Sequence, residues 1–290
     1  AGKIPMSNHD RWSELCQRVA KDDGHLIRRA GPWTEDKVYL WNRYIEITTQ
    51  GMKNAWKDGL AYIDLFAGPG ICLNEESGKR FPGSPLLAAW APVPFRNIVV
   101  IEQEQTVADA CRARLESSGT TSPYEVINGD CNAKIQEAVA QLPPGVLTLA
   151  FIDPEGLQVR FETLASLARS RRVDLLILFP VGYDIVRNIR LYEIQDVSKL
   201  DRALGFGSKW RDNWQEVLNR DAAKVIEFIT GEYTARLKTE LGYEVLRDVA
   251  VIHRGKVFYK LVYASMHERG LDFWEKALRK ERGGQMGLGF

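Results

Sequence analysis

Acidic residues stand at or just beyond the ends of four strand-like runs in this sequence. Asp64, Glu102 and Asp130 accompany the first three runs, and Asp153 follows the fourth. Because the carboxyl ends of parallel strands lie along one edge of a sheet, these carboxylates are predicted to share a ligand-binding edge. A carboxylate there can accept hydrogen bonds from hydroxyl or amino groups. Each acid alone is equally well explained as a turn or capping residue, so the prediction depends on the set.

The first of these runs ends in a glycine loop, Asp64-Leu65-Phe66-Ala67-Gly68-Pro69-Gly70. Glycines let the chain turn sharply and let a ligand approach backbone amides without a Cβ in the way. A dinucleotide fingerprint needs a small residue three positions further on, where Leu73 stands, so NAD is disfavoured. Glu102 comes later than the roughly 20 residues of a compact βαβ unit. Residues 71–80 are therefore predicted to form an inserted loop.

The fourth run leads into Asp153-Pro154-Glu155-Gly156. A carboxylate at this strand end can orient a reacting amine or accept its proton, and a second carboxylate nearby can share that proton. Asp153, Pro154 and Glu155 are therefore the candidate catalytic residues. The same four residues also make a good β-turn, which is the structural alternative. Gly156 supplies no aromatic ring that could stack on a base.

Aromatic and basic residues cluster around the end of the fifth run. Phe179 and Tyr183 are candidates for a platform that stacks on a base. The stretch from Arg160 to Arg190 contains more arginines than acids. This excess is consistent with either a phosphate-binding rim or a solvated helix face. The candidate substrate-binding residues are Phe179, Pro180, Tyr183, Arg187 and Arg190.

The alternation of strand-like and helical segments predicts how these residues are positioned. Five apolar runs alternate with helical stretches between residues 61 and 179, which is typical of a parallel sheet with helices on both faces. The pattern then becomes mostly helical, and two final runs around residues 254–256 predict an antiparallel hairpin. The predicted units are a helical cap at 1–58, a core at 59–183 and 243–280, a helical insertion at 184–242 and a flexible tail at 281–290.

Composition limits the class of protein. Of 290 residues, 45% are hydrophobic and 27% are charged, with 39 basic and 38 acidic side chains. This usage excludes a disordered or collagen-like chain, and the charge balance excludes a generally basic nucleic-acid binder. No apolar run reaches the roughly 20 residues that cross a bilayer, and the four cysteines and four histidines lack metal-binding spacing. We expect a soluble cytoplasmic protein with no signal peptide, no membrane association and no bound metal.

Taken together, the motifs resemble the three-Cys-motif partner family. The resemblance covers residues from about 25 to 278 and departs from the family pattern at Glu155 and Leu178. Members are similar to class I S-adenosylmethionine-dependent methyltransferases and are named for a companion protein with three cysteines. The matching segments are Gly31-Pro32-Trp33-x-Glu35-x-Lys37, Tyr62–Gly70, Gly83-Ser84-Pro85-Leu86, Phe151–Pro154, Arg172–Leu176 and Phe179-Pro180.

The resemblance implies a fold and a cofactor. The fold is a Rossmann-like sheet of five parallel strands with an antiparallel C-terminal hairpin, and the cofactor is S-adenosyl-L-methionine. In such enzymes the glycine loop holds the methionine part, and the acids after the second and third strands hold the ribose and the adenine. The implied cofactor-binding residues are Asp64, Phe66, Ala67, Gly68, Gly70, Glu102, Gly129, Asp130 and Cys131.

The sequence therefore predicts a methyltransferase that acts on RNA or DNA by direct methyl transfer at the carboxyl edge of the sheet. Asp153 would accept or orient the departing proton. The alternative is a cofactor-binding module that is catalytically silent or depends on a three-cysteine partner, and Glu155 and Gly156 favour it. A nicotinamide-dependent oxidoreductase is the third and weakest hypothesis, because of Leu73.

Overall fold

The computed structural model of the protein describes residues 8–56, 59–212, 222–253 and 255–279. The predicted tail at 281–290 lies outside these residues, as do residues 1–7 of the predicted cap and 213–221 of the predicted insertion. In chain order the elements are α1 Asn8–Arg18, β1 Arg28–Ala30, α2 Pro32–Met52, β2 Ala61–Asp64, β3 Ile71–Asn74, β4 Arg80–Pro82, α3 Ser84–Ala89, β5 Asn97–Glu102, α4 Gln105–Ser117, β6 Tyr124–Asn128, α5 Cys131–Gln141, β7 Leu147–Ile152, α6 Phe161–Ser170, β8 Arg172–Phe179, a π-helical turn Val181–Ile185, α7 Val186–Ile194, α8 Lys199–Leu204, α9 Ala222–Leu241, β9 Val245–His253, β10 Lys256–Ser265 and α10 Glu268–Leu278.

Within the described residues, the central sheet has seven strands in the order β6-β5-β2-β7-β8-β10-β9. Strands β6, β5, β2, β7 and β8 are parallel to one another, whereas β10 runs antiparallel to both β8 and β9. This arrangement is the predicted Rossmann-like sheet with its antiparallel C-terminal hairpin, which is thereby confirmed. The five parallel strands direct their carboxyl ends to one edge.

Both faces of the sheet are buried because successive strand residues point to opposite sides. Ile63 and Ile152 pack on one face with α5, α6, α8 and α9. Tyr62 and Phe151 pack on the other face with α2, α4 and α10. The strands accordingly consist of nearly continuous apolar residues, as expected for a sheet covered by helices on both sides.

Helix α2 crosses one face of the sheet and is buried on most of its surface. It begins at Pro32, where the missing backbone N–H costs no intrahelical hydrogen bond. Trp41 stacks on Phe151 at a centroid distance of 4.8 Å, and its indole N–H donates a hydrogen bond to the Tyr62 hydroxyl at 3.0 Å. This packing fixes the position of α2 over the strands that lead to the predicted site.

The predicted inserted loop at 71–80 is instead part of a small second sheet, of order β1-β3-β4 in the described chain. β3 and β4 form a hairpin, and β3 pairs in parallel with β1 through Arg28 opposite Cys72. The local pattern could not reveal this sheet, because its third strand comes from a segment more than 40 residues away in the chain.

Helices occupy most of the described parts of the predicted cap and insertion, but the cap also contributes strand β1 to the small second sheet. The boundaries assigned to these units stay predictions. None of the helices in the described ranges combines the length and the apolar composition needed to cross a membrane.

Candidate functional site

A cleft of about 510 Å³ lies at the carboxyl ends of the parallel strands. In sheet order, Asp130 follows β6, Glu102 ends β5, Asp64 ends β2 and Asp153 follows β7. Adjacent strands are about 4.8 Å apart, so this row spans roughly 14 Å. The predicted residues that line the cleft are Phe66, Gly68, Glu102, Gly129, Asp130, Cys131, Asp153 and Glu155.

The glycine loop after β2 is attached to the end of β5. The Gly68 N–H donates a hydrogen bond to Glu102 Oε2 at 2.9 Å, and the Glu104 N–H donates to Glu102 Oε1 at 3.0 Å. Gly68 has φ +62°, and a Cβ there would meet no atom within 4 Å. The backbone at Gly68 therefore borders open space in the cleft, and the adjacent carboxylate is held by backbone amides.

Asp64 lies behind the glycine loop and does not line the cleft. Its carboxylate is fully buried and accepts hydrogen bonds from the Phe66 N–H at 3.0 Å and the Tyr62 hydroxyl at 3.4 Å. Burial raises the pKa of Asp64 to about 7, and the charges of Asp153 and Glu102 add to this shift. Asp64 therefore holds the glycine loop through its hydrogen bond with the Phe66 N–H, from the side of the loop away from the cleft. Ala67, Gly70 and Pro154 likewise do not line the cleft.

Asp130 has a structural role and also lines the cleft. Its Oδ1 accepts a hydrogen bond from the Asn132 N–H at 3.0 Å and so caps α5. Gly129, at φ +143°, donates its N–H to the Glu102 carbonyl at 3.0 Å, which ties this turn to β5. The capping interpretation and the ligand-binding interpretation of Asp130 are therefore compatible.

At the other end of the cleft, Asp153 is paired with a lysine from α2. Lys37 Nζ lies 2.5 Å from Asp153 Oδ2, and the two side chains are only 3% and 11% exposed. Burial lowers the pKa of Lys37, while the charge of Asp153 opposes that shift. The Lys37 ammonium also lies 5.1 Å from the centre of the Trp33 ring. In the sequence, only the motif shared with the resembled family singled out Lys37.

Glu155 is paired with a second cation from the N-terminal region. Arg28 Nη2 lies 3.2 Å from Glu155 Oε1, and both residues line the cleft. Burial lowers the pKa of Arg28, but the charges of Asp153 and other nearby groups raise it above its ordinary value. Asp153 and Glu155 therefore contact separate cations in this structure, and a proton shared between them stays a prediction. Sequence patterns missed Arg28 because β1 reaches the cleft only through its pairing with β3.

A second cleft of about 500 Å³ lies between the π-helical turn and α8. Tyr183 lines it and is 43% exposed, with the Arg187 guanidinium 5.3 Å from the centre of its ring. Asp184 connects this region to the loop after β7, because its Oδ2 accepts a hydrogen bond from the Leu157 N–H at 3.0 Å. Tyr183 and Arg187 are thus exposed together in this second cleft, which Asp184 connects to the loop after β7.

The remaining predicted substrate residues lie elsewhere. Phe179 is 2% exposed, and its ring stacks on the Tyr233 ring at a centroid distance of 4.2 Å. The Phe179 ring is therefore not available to a base. Pro180 is buried, and Arg190 is exposed but lines neither cleft. The aromatic platform predicted from Phe179 and Tyr183 is therefore reduced to Tyr183.

The arginines between residues 160 and 190 do not form one continuous rim. Arg171 donates hydrogen bonds to the carbonyls of Val139 and Leu142 at the end of α5. Arg172 lies at the start of β8, with its guanidinium 5.8 Å from the centre of the Trp56 ring. Arg160 lines a third groove of about 500 Å³ together with Arg202 and Phe206. Of the arginines assigned to the predicted rim, Arg171 therefore has a structural role, whereas Arg160 lines a groove.

The cleft combines groups that suit a nucleoside with a charged extension. Leu26, Phe66 and Val107 supply apolar surface for a flat ring, Glu102 supplies oxygens for hydroxyl donors, and Arg28 supplies a cation. In the described ranges, no three His, Cys, Asp or Glu side chains are grouped in a way that could hold a metal ion. The residues present therefore fit a ligand that carries a flat ring, hydroxyl groups and a charged end.

No family model and no curated protein matches the sequence. Among solved structures, the chain is similar to an O-methyltransferase from Bacillus cereus in complex with S-adenosylhomocysteine, at 9% identity and TM-score 0.46 over 91% of this chain and 93% of that one. It is also similar to the O-methyltransferase TomG from Streptomyces achromogenes, which is involved in tomaymycin synthesis, in complex with S-adenosylmethionine, at 11% identity and TM-score 0.43 over 90% and 99%. A further similarity is to Trm1 from Pyrococcus horikoshii with S-adenosylmethionine, at 12% identity and TM-score 0.42 over 83% of this chain and 58% of that one. Likeness at this level does not transfer an activity.

Proposed function

We propose that this protein is a methyltransferase that uses S-adenosyl-L-methionine and acts on nucleic acid. The observation that carries the proposal is the row formed by Asp130, Glu102, the glycine loop after β2 and Asp153 along the cleft at the carboxyl edge, with the Gly68 N–H bound to Glu102 at 2.9 Å. Such a row at the ends of successive parallel strands is suited to a long ligand that meets each strand end with a different group.

The residues of the cleft suggest how the cofactor is held. Asp130 would accept a hydrogen bond from the adenine amino group, and Glu102 would accept hydrogen bonds from the ribose hydroxyls. The glycine loop would contact the methionine part through its backbone. When bound, S-adenosylmethionine supplies a methyl group that is activated for transfer to a nucleophile.

Asp153 would orient that nucleophile. Its Oδ2 contacts Lys37, so Oδ1 is the oxygen that would accept a hydrogen bond from the reacting group and receive or relay its proton. Arg28 and Glu155 border the same end of the cleft and would limit the access of water. These residues chiefly position the reactants, because direct methyl transfer needs alignment more than strong acid or base catalysis.

A nucleic-acid substrate is supported by aromatic and cationic groups around the cleft. In the second cleft, Tyr183 offers a ring on which a base can stack and Arg187 offers a cation beside it. Lys199 lines the same cleft. In the neighbouring groove, Phe206 is 69% exposed and lies with Arg160 and Arg202. Exposed rings next to cations are typical of surfaces that bind single-stranded nucleic acid, because every base can stack on them.

A cofactor-binding module that requires a partner is the second candidate. The contact between Arg28 and Glu155 favours it, because both residues line the cleft and their charged groups are paired with each other there. The resemblance to the three-Cys-motif partner family suggests a protein with three cysteines as that partner. If this candidate is right, purified protein will bind S-adenosylhomocysteine but will methylate nucleic acid only after the partner is added.

Calorimetry with S-adenosylhomocysteine tests the cofactor assignment. We expect Glu102→Gln to weaken binding by about 10- to 100-fold, because hydrogen bonds to a charged group contribute about 1.5–3 kcal/mol. Glu125→Gln is the matched control, since Glu125 is exposed on β6 and does not line the cleft. Unchanged affinity in Glu102→Gln, or binding of NAD in place of S-adenosylhomocysteine, would contradict the assignment.

Fluorescence anisotropy with a labelled single-stranded RNA, and with the corresponding DNA, tests the substrate class. We expect Tyr183→Ala to weaken binding about 5- to 100-fold, since stacking of one base contributes about 1–3 kcal/mol. A plot of the logarithm of the nucleic-acid affinity against the logarithm of the salt concentration should have a shallower slope for Arg187→Gln than for the original protein. The expected change in slope is about 0.7 for each phosphate that Arg187 neutralises.

Arg169→Gln is the control for the charge change, because Arg169 is exposed in the last turn of α6 and lines neither cleft. Equal effects of Arg187→Gln and Arg169→Gln would indicate non-specific attraction. Absence of binding by the unmodified protein, alone and with S-adenosylhomocysteine, would refute a nucleic-acid substrate for the isolated chain.

A further inference from the structure

Lys37 and Asp153 form a buried ion pair in which only the carboxylate reaches the cleft. Lys37 Nζ and Asp153 Oδ2 are 2.5 Å apart, and Asp153 lines the cleft whereas Lys37 does not. The two residues are 116 positions apart in the chain, on α2 and after β7. The ammonium is therefore placed behind the carboxylate, on the side away from the ligand space.

Stability alone does not explain such a pair. Removing two charges from water costs several kcal/mol for each ion, and apolar replacements of buried ion pairs are often neutral or stabilising. α2 already packs through Trp41, which stacks on Phe151 and bonds to Tyr62. An apolar residue at position 37 would extend this packing. The reason for a lysine at this position must therefore lie in its effect on the carboxylate of Asp153.

The position of Asp153 supplies that explanation. In sheet order Asp153 is at the end of the row opposite Asp130, separated from it by Glu102 and the glycine loop. If adenine lies near Asp130 and ribose near Glu102, the methionine part and its sulfonium lie towards Asp153. An unpaired carboxylate there would attract the sulfonium cation strongly in a cleft shielded from water.

We propose that Lys37 is a positioning residue that acts through Asp153, by cancelling the charge of this carboxylate at the sulfonium end of the cleft. This inference rests on the proposed function, because it concerns the same cofactor. Methyl transfer removes the positive charge from sulfur, so attraction between the sulfonium and a bare carboxylate would be weakened in the transition state. Lys37 prevents that ground-state attraction from raising the barrier, and it leaves Asp153 Oδ1 as a hydrogen-bond acceptor for the nucleophile.

The test compares two ligands that differ by one charge. S-adenosylmethionine is cationic at sulfur and S-adenosylhomocysteine is neutral there, so the ratio of their dissociation constants reports the field at that atom. We expect Lys37→Met to shift this ratio about tenfold in favour of S-adenosylmethionine and Asp153→Asn to shift it about tenfold the other way. The double variant, which removes both charges, should return the ratio to within about threefold of the original.

Calorimetry or equilibrium dialysis gives the ratio for the original protein and for each variant, and circular dichroism checks that each variant is folded. Lys37→Arg should preserve the original ratio, because it keeps the positive charge. If Lys37→Met does not fold, the opposite shift in Asp153→Asn and its cancellation in the double variant still test the inference. Equal weakening of both ligands in the single variants would show that the pair is only structural and would overturn the inference alone. Failure of the unmodified protein to bind either ligand would overturn the proposed function and this inference with it.

Discussion

Replacing Gly182 by alanine is expected to destabilise the protein by roughly 3–5 kcal/mol, or to prevent folding. A Cβ at this position would lie 1.9 Å from the Val257 carbonyl oxygen, 2.9 Å from its carbonyl carbon and 3.1 Å from the Phe258 carbonyl oxygen. These are backbone atoms of β10, which pairs with both β8 and β9. The clash therefore cannot be relieved by rotating a side chain, and either the π-helical turn or the hairpin must move.

Urea or thermal unfolding followed by circular dichroism measures this effect. Gly231→Ala is the matched control, because Gly231 lies inside α9 and a Cβ there would meet no atom within 4 Å. We expect this control to stabilise the protein by about 0.5–1 kcal/mol, since alanine is the better helix former. A Gly182→Ala variant as stable as the original protein would show that the turn relaxes at little cost. The Tyr183 ring would then be displaced from the Phe258 ring, whose centroid lies 5.1 Å from its own.

Replacing Asp64 by asparagine is expected to stabilise the protein by roughly 4 kcal/mol above pH 7 and to have little effect below pH 4. Burial raises the pKa of Asp64 from 3.8 to about 7. Between these values the folded protein keeps the proton while the unfolded chain loses it, so the stability of the original protein falls as the pH rises through this range. Above about pH 7 the folded state must hold a buried carboxylate. Asparagine carries no charge at any of these pH values.

Free energies of unfolding measured at several pH values from 4 to 8 test this expectation. The amide oxygen of the introduced asparagine can still accept the hydrogen bond that Asp64 receives from the Phe66 N–H at 3.0 Å, so the loop geometry should be kept. Asp109→Asn is the control, because Asp109 is exposed on α4. The same pH dependence in Asp64→Asn and in the original protein would mean that Asp64 is ionised in the fold without cost.

The central sheet and its acidic edge could be predicted because both depend on short-range patterns. Apolar runs separated by helices are typical of a parallel sheet. The carboxyl ends of parallel strands all lie at the same edge of such a sheet. Glu102, Asp130 and Asp153 were therefore predicted to lie on one edge from their positions after strands alone, and all of them line the cleft. The glycine loop was recognised in the same way, since Gly68 has a conformation that other residues adopt with strain.

Asp64 and Phe179 are predicted site residues that do not line the cleft. Both stand at the ends of parallel strands, yet Asp64 lies beneath the glycine loop and Phe179 lies against Tyr233 of α9. The end of a strand can expose a side chain to the cleft or bury it on a face of the sheet. Which of these occurs depends on the elements that pack above it, and those come from other parts of the chain.

By itself, the sequence determined the class of sheet, the acidic groups that share one edge and the loop that a ligand can approach. These follow from residue periodicity, which is a local property. Only the tertiary structure decided that Lys37 pairs with Asp153, that Arg28 pairs with Glu155 and that β1 joins β3 beside the cleft. Each of these contacts joins segments more than 40 residues apart. Such contacts form because a buried charge needs a partner and an unpaired strand needs hydrogen bonds, and the partner is chosen by the packing of the whole chain.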